Sequence, residues 1–264
     1  MLFQEKEWTR FHATKPSRNQ ETYWDRRAAG FARHSGISNY SKEFLDLCQL
    51  ESDWTVLDVG CGSGSITVNI ARQTQHVTGI DISGEMLRLA KSSARSLGLC
   101  NVDTIKVPWE GDWRAAGVPQ VDLAVESRAL LTADLPDALA KLNHYARKRV
   151  CLTTVCGDLA YNDRRVIESI GRTLPHPPDY IHVVNCLYDM GITADVHFIS
   201  SVKHDTYCNR EAAKKSMLHM LGNVSEEEDE ALESFMNNHL VQWQDGWMKD
   251  YERRTDWAFI AWNK

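Results

Sequence analysis

An α/β fold built on a doubly wound, mostly parallel sheet is predicted by three features of this 264-residue chain. Seven short apolar runs read as strands, and the first five alternate with stretches of helical periodicity. Such alternation implies crossover helices and a parallel sheet covered on both faces. Residues 55–67 read T-V-L-D-V-G-C-G-S-G-S-I-T, a buried strand running into a glycine turn and a helix start. The segment that follows carries its own end signals: Ser83 stands where an N-cap belongs and Gly98 where a C-cap belongs.

In chain order, residues 1–22 are polar, contain Lys15-Pro16-Ser17, and read as a loosely packed lead-in. Residues 23–48 are mostly helical by spacing, with Trp24, Ala28 and Phe31 on one repeat and Phe44, Leu45 and Cys48 on another, and Gly36 and Ser38 divide them into two pieces. Strands are expected at 55–59, 76–80, 103–107, 121–126 and 149–154, and helices at 64–73, 84–97 and 133–146. The pattern then changes. Residues 158–172 read as a helix, 174–178 as a rigid Leu-Pro-His-Pro-Pro break, and 180–190 as a helix. The alternation over 195–201 suits a strand, 210–221 and 225–243 suit two helices, and 256–262 is a last apolar strand. The helix at 225 opens with Ser225 as N-cap and Glu226, Glu227 and Glu228 in the first turn, where the helix dipole favours anions.

Composition narrows the class. Hydrophobic residues make up 43% and charged residues 25%, as in soluble globular proteins. Thirty basic against 36 acidic side chains give a formal charge of −6, which argues against a nucleic-acid-tracking surface. The seven cysteines are odd in number, dispersed and without a C-x-x-C pair, so they read as reduced thiols. The N-terminal residues lack the apolar core of a signal peptide, and no run reaches the roughly 18–20 apolar residues that cross a bilayer. A cytoplasmic protein with no membrane partner is expected. Nothing in the sequence sets the number of subunits, and an oligomer is allowed.

The glycine segment carries the chemistry. Gly60, Gly62 and Gly64 alternate after the strand, so a ligand can approach bare backbone in front of a helix N-terminus. Asp58 lies two residues before the first glycine, suited to a cationic ammonium group. The next strand ends in Asp81, where a carboxylate can accept hydrogen bonds from both ribose hydroxyls. The ligand so described has a ribose, a positive amino group and little phosphate. A dinucleotide site, the alternative of an NAD(P)-dependent oxidoreductase, wants a further glycine where Ser65 stands, and there is no G-x-x-x-x-G-K-[ST] phosphate loop.

The combination V-L-D-V-G-C-G-S-G followed by Asp81 resembles the class I S-adenosylmethionine-dependent methyltransferases, of the small-molecule type. The resemblance covers residues 23–155 well and the remainder in outline. It implies a Rossmann-like, seven-stranded sheet with helices on both faces, a last strand running antiparallel to its neighbours, and S-adenosyl-L-methionine as cofactor. It further implies an N-terminal helical cap over residues 1–50, a cofactor-binding domain over 51–264, and a substrate-side insertion at about 157–192. Carried over by position, Gly60, Cys61, Gly62 and Gly64 would wrap the methionine part of the cofactor, Asp58 would face its amino group, and Asp81 would hold its ribose. Ile82 and Met86 would pack near ribose and adenine. The segment after the third strand, V-P-W-E-G-D-W, has Pro108 where the family usually has an acid. Trp109 would then flank the adenine, with Glu110 or Asp112 accepting its N6 hydrogen. Glu126 would line the methyl end.

For such an enzyme the protein contributes mainly proximity and alignment. No catalytic base stands out, which leaves open a regulatory protein that binds the cofactor without turnover. The fourth strand ends in E-S-R-A rather than [DN]-P-P-[YFW], which weakens an amide or adenine nitrogen as acceptor. A small-molecule acceptor is expected, with no nucleic acid and no metal. Its candidate contacts are Tyr23 and Trp24 from the N-terminal helices, Arg128 as a fork for a carboxylate or phosphate, and Tyr161 and His176 around the proline break.

Overall fold

The computed structural model describes residues 3–13, 20–31, 38–157, 162–173 and 177–264. Two compact units divide the chain. The first comprises Met1–Val155, Pro178–Ile199 and Ala258–Lys264; the second comprises Cys156–Pro177 and Ser200–Trp257.

The large sheet has seven strands in the order β3-β2-β1-β4-β5-β10-β6. These are β1 (Thr55–Val59), β2 (His76–Asp81), β3 (Val102–Lys106), β4 (Val121–Ser127), β5 (Ala146–Val155), β6 (Asp195–Lys203) and β10 (Arg253–Asn263). Strands β1 to β5 pair in parallel. In β1, Val56, Leu57, Asp58 and Val59 are all buried although successive side chains point to opposite faces, so both faces are covered there. The last strand runs antiparallel to β5: Cys156 N–H bonds to Asp256 O and Lys264 N–H to Lys148 O, so one residue number falls as the other rises. The sheet grows from β1 through β2 to β3 on one side and through β4 on the other. The crevice at the strand ends between β1 and β4 is therefore the topological switch point, where ligands bind in open α/β sheets.

Three helices precede β1: α1 (Phe3–Ala13), α2 (Glu21–Phe31) and α3 (Asn39–Cys48). The first corrects the expectation of a loose lead-in. Trp8 is 1% exposed and its indole N–H donates to Thr132 O at 2.9 Å, so a large apolar surface and its polar handle are both satisfied. The helix after the glycine turn, α4 (Thr67–Ala71), starts later than the periodicity suggests because Gly64 sits at φ +84°. Helix α5 (Gly84–Ser96) keeps its expected ends: Ser83 Oγ accepts from Met86 N–H, and Gly98 adopts φ +69°. Helices α6 (Leu135–Tyr145) and α8 (Tyr180–Asp189) complete the first unit.

The second unit holds α7 (Arg164–Ser169), α9 (Arg210–Leu221), α10 (Glu226–His239) and a three-stranded antiparallel sheet, β7 (Thr206–Tyr207), β8 (Leu240–Trp243) and β9 (Gly246–Lys249), in the order β7-β9-β8. Val166, Met217, Leu232, Phe235 and Met236 pack its core. Two expected helices shorten here. The first begins at Arg164, capped by Asp163, with residues 158–161 outside the described residues. The second keeps its Ser225–Glu228 capping box but ends at His239, because Leu240 turns extended and Gln244-Asp245 closes a tight hairpin with Gln244 at φ +49°. The unit also buries charge. Lys249, 3% exposed, donates to Asp163 at 2.5 Å and Asp205 at 3.2 Å; Tyr251 O–H donates to Asp163 at 2.7 Å; Arg253 pairs with Asp205 at 2.9 Å.

Candidate functional site

The chain leaves β1 at Val59 and turns through three glycines at φ +68°, +53° and +84° for Gly60, Gly62 and Gly64. Each occupies the left-handed region that side chains resist. Their surroundings differ. A Cβ on Gly60 would collide with the Cβ of Ala129, and one on Gly64 would press on the backbone of Ala90. Beside Gly62 there is nothing within 4 Å, so the middle of the turn faces open space. The turn is pinned from behind: Gly60 and Cys61 N–H both bond to Ile80 O, at 2.8 and 3.0 Å, and Gly62 N–H bonds to Asp81 Oδ2 at 2.9 Å.

Three carboxylates gather at neighbouring strand ends. Asp58 pairs across to Gly79, and Val59 stands between Ile80 on one side and Glu126 on the other. Asp58 is 1% exposed and accepts from Thr67 Oγ1 at 2.6 Å. Burial pushes its carboxyl up to about 6, against the pull of the Thr67 hydrogen bond, and the nearby Asp81 charge adds to the rise. Glu126 is fully buried and accepts from Ala129 N–H and from Thr153 N–H. Burial raises it to about 8, the two backbone donors oppose the rise, and Asp58 reinforces it. Asp81 is also raised by burial, although Ser83 N–H at 2.8 Å and Gly62 N–H favour its charged form. Among the described residues no lysine, arginine or histidine pairs with any of the three. A carboxylate offers about four lone-pair sites, so Asp81 keeps acceptor capacity beyond its two backbone donors. An acidic, cation-free corner around bare backbone suits a ligand that brings its own positive charge and hydroxyl donors.

The other expected residues fall as follows. Cys61 is buried, its thiol pushed up by burial and by the Asp58 and Asp81 charges, and its sulfur lies where a Cβ on Gly79 would stand. It packs the turn against β2. Ile82 is half-buried and Met86 buried, both next to Ser83, the cap of α5. Trp109 is half-buried and its indole N–H donates to Ala129 O at 2.8 Å, which ties the segment after β3 to the segment after β4. Glu110 is exposed and accepts from Thr132 Oγ1 at 3.0 Å, while Asp112 accepts from Ala115 N–H. Tyr23 and Trp24 are half-buried on α2 with their rings edge to face. Arg128, at the tip of β4, is exposed with its guanidinium 4.1 Å above the Tyr40 ring. Tyr161 and His176 lie outside the described residues.

Sequence reading missed the residues that hold these groups in place. Asp25 on α2 accepts from Ser83 Oγ at 2.5 Å and from Glu85 N–H at 3.2 Å, and Glu21 pairs with Lys106 at 2.5 Å. Helix α2 is thereby docked at the tips of β2 and β3, beside Asp81. Tyr40 on α3 bonds to Ser127 Oγ at 2.9 Å and Thr153 Oγ1 at 2.7 Å. Only the adjacency of Asp25 to Tyr23-Trp24 marked the first; Tyr40 carries no signal in its own segment. Among the described residues, no group of three or more His, Cys, Asp and Glu side chains could hold a metal ion. No helix among them is long and apolar enough to cross a membrane.

A family model described as a methyltransferase domain matches residues 50–176. An uncharacterized protein of Haemophilus influenzae is 32% identical over 251 residues, covering 91% of this chain and 88% of that protein. Among solved structures, the YcgJ protein of Bacillus subtilis superposes with a TM-score of 0.57 at 15% identity, covering 85% of this chain and 97% of its own. Geranyl diphosphate C-methyltransferase of Streptomyces coelicolor, solved with S-adenosyl-L-homocysteine, gives 0.50 at 14% identity, covering 84% and 77%.

Proposed function

We propose a small organic molecule as the methyl acceptor of this chain, which belongs to the class I S-adenosylmethionine-dependent methyltransferase family. The cofactor is S-adenosyl-L-methionine, and the nicotinamide alternative falls with that assignment. When bound, the cofactor supplies a methyl group activated by a sulfonium. The protein's own contribution is to hold the two reactants in line and keep water out.

Two buried carboxylates, Asp58 and Glu126, and the half-buried Asp81, none with a cationic partner among the described residues, are set around a loop with open space at Gly62 and support this reading most directly. Asp81, at the tip of β2, is assigned to the ribose. Asp58 is too buried to touch a ligand over any large area, so its assigned part is to anchor α4 through Thr67 and to contribute negative potential toward an ammonium group. Gly60, Cys61, Gly62 and Gly64 present backbone to the methionine part. Ile82 and Met86 wall the ribose and adenine, Trp109 and Glu110 lie on the adenine side, and Glu126 shapes the methyl end. Residues 1–50 are assigned as a cap, with α2 docked by Asp25 and Glu21 and bringing Tyr23 and Trp24 to the acceptor side. Residues at about 157–192 are assigned as the insertion that selects the acceptor. The net charge of −6 favours a small acceptor over RNA or DNA. Dispersed, odd-numbered cysteines favour the cytoplasm.

Calorimetry with adenosylhomocysteine, followed by incubation of the enzyme with labelled cofactor and fractionated metabolites, tests the reading. Label appearing in a low-mass product supports it. Label appearing only in tRNA or rRNA fractions, with acceptor binding that falls steeply with salt, overturns it.

A further inference from the structure

Resting on that reading, we propose that Lys141, on α6, is a positioning residue for cofactor recognition: it holds the turn after β3 so that Trp109 and Glu110 meet the adenine.

That segment turns sharply. Gly111 N–H donates to Pro108 O at 3.1 Å, which closes a four-residue turn with Trp109 and Glu110 at its two central positions. Gly111 fits because it lacks a side chain: a Cβ there would stand 2.7 Å from Val107 Cγ2 and 3.1 Å from Pro108 Cδ. The approach to the turn is tied to the acidic corner, since Val107 N–H bonds to Asp81 O at 3.1 Å. Its far side is tied to the segment after β4, where the Trp109 indole N–H meets Ala129 O. Strands β2 and β1 lie between β3 and β4 in the sheet, so the turn reaches across the ends of the strands that carry Asp81 and the glycines.

Lys141 grips this turn by its backbone. Its ammonium donates to Trp109 O at 2.6 Å and to Gly111 O at 3.2 Å, the carbonyls of the two residues that flank Glu110. Asp137, one helical turn earlier, pairs with the same ammonium at 2.8 Å. A lysine has three donors, and here all three are spent within the protein. It therefore acts on a ligand through the turn and not by direct contact. The ammonium also lies 5.6 Å from the ring centre of Trp113. Trp113 is 1% exposed, packs against Tyr145 at 5.3 Å, and donates its indole N–H to Pro108 O at 3.0 Å. Asp137, Lys141 and Tyr145 follow at four-residue spacing, so one face of α6 carries the support.

The rest of the site stands on other supports. The glycine turn hangs from Ile80 O, and Asp81 is held by Ser83 and Gly62. Loss of the ammonium frees the turn that carries Trp109 and Glu110 and leaves those contacts in place. The lesion then falls on the base and spares the ribose and amino-acid ends.

The full-length protein is titrated calorimetrically with adenosylhomocysteine and with S-inosylhomocysteine, whose base carries a 6-oxo group in place of the amino group. Wild type is expected to favour adenosylhomocysteine by about tenfold or more, because a carboxylate at Glu110 has no hydrogen to accept from the oxo group. Lys141→Met is expected to weaken adenosylhomocysteine by about tenfold and the inosine compound by less than about threefold, so the preference collapses. Lys141→Arg, which keeps cationic donors, retains most of the preference. Should Lys141→Met fail to fold, Lys141→Gln is read in its place, and its inosine affinity reports that the site is intact. An unchanged preference in these variants, an equal fall for both ligands, or a wild type that does not discriminate between them overturns the assignment. Failure of the wild type to bind adenosylhomocysteine at all would instead break the cofactor reading beneath.

Discussion

The two units bury acidic side chains in opposite ways. In the second, Asp163 and Asp205 are matched by Lys249 and Arg253. Burial pushes Asp205 up, but the Lys249, Arg253 and Lys203 charges outweigh it and hold the carboxyl below its usual range. In the first, Asp58, Asp81 and Glu126 have no such partner among the described residues and all three are raised. A buried charge is costly unless paired. The paired cluster is complete within the chain and reads as structure. The unpaired one is complete only with a cation from outside, and reads as a binding site.

Removing a cation from the paired cluster is the harshest test of this contrast. Lys249→Met leaves Asp163 and Asp205 short of a partner and is expected to destabilise the protein by about 3–5 kcal/mol in urea denaturation. Asp58→Asn, at the unpaired site, should by comparison leave the free protein as stable or slightly more so. A similar loss in both variants would erase the distinction.

The next effect is on the ligand. Gly62→Val fills the open side of the turn and forces a β-branched residue to φ +53°, so calorimetry should show adenosylhomocysteine affinity falling by about 100-fold or more. Asp81→Ala removes the charge-assisted acceptor of two hydroxyls and is expected to cost about 1–3 kcal/mol of the same affinity. Neither change should resemble Lys249→Met in a denaturation curve.

The smallest effect is the pH profile. The raised groups bind protons more tightly folded than unfolded, so their contribution to stability is greatest in acid. It falls as pH rises from about 4 through about 6 for Asp58 and about 8 for Glu126, then levels off. Asp205 has the opposite sign: its contribution is present above the unfolded pKa and is lost on acidification. Saturating S-adenosylmethionine should flatten the decline between pH 5 and 8 by favouring ionised Asp58. Thermal melts of free and loaded protein at each pH give the comparison, and parallel profiles would count against a cationic ligand at Asp58.

Much of the cofactor half was legible residue by residue. The alternating apolar runs, the glycine spacing and the acids at 58 and 81 lie within short windows, and strand pairing then brings those windows together. The caps at Ser83 and Ser225 were legible because a capping hydrogen bond spans only three residues. Other features were not. The hairpin at Gln244-Asp245 was overrun by a helical reading, although Asp-Gly before alternating apolar residues is a turn signal. Trp8 looked like part of a loose leader because its partner, Thr132, is 124 residues away.

By itself, the sequence determined the sheet class and the kind of cofactor, because side-chain periodicity and the steric freedom of glycine act over a few neighbouring residues. Tertiary structure alone decided which carboxylates stand without a cation, that Asp25 docks α2 on the cap of α5, and that Tyr40 lies beneath Arg128. Those facts depend on charges and rings brought together from distant parts of the chain, and the cost of burying a charge is set by what surrounds it, not by what precedes it.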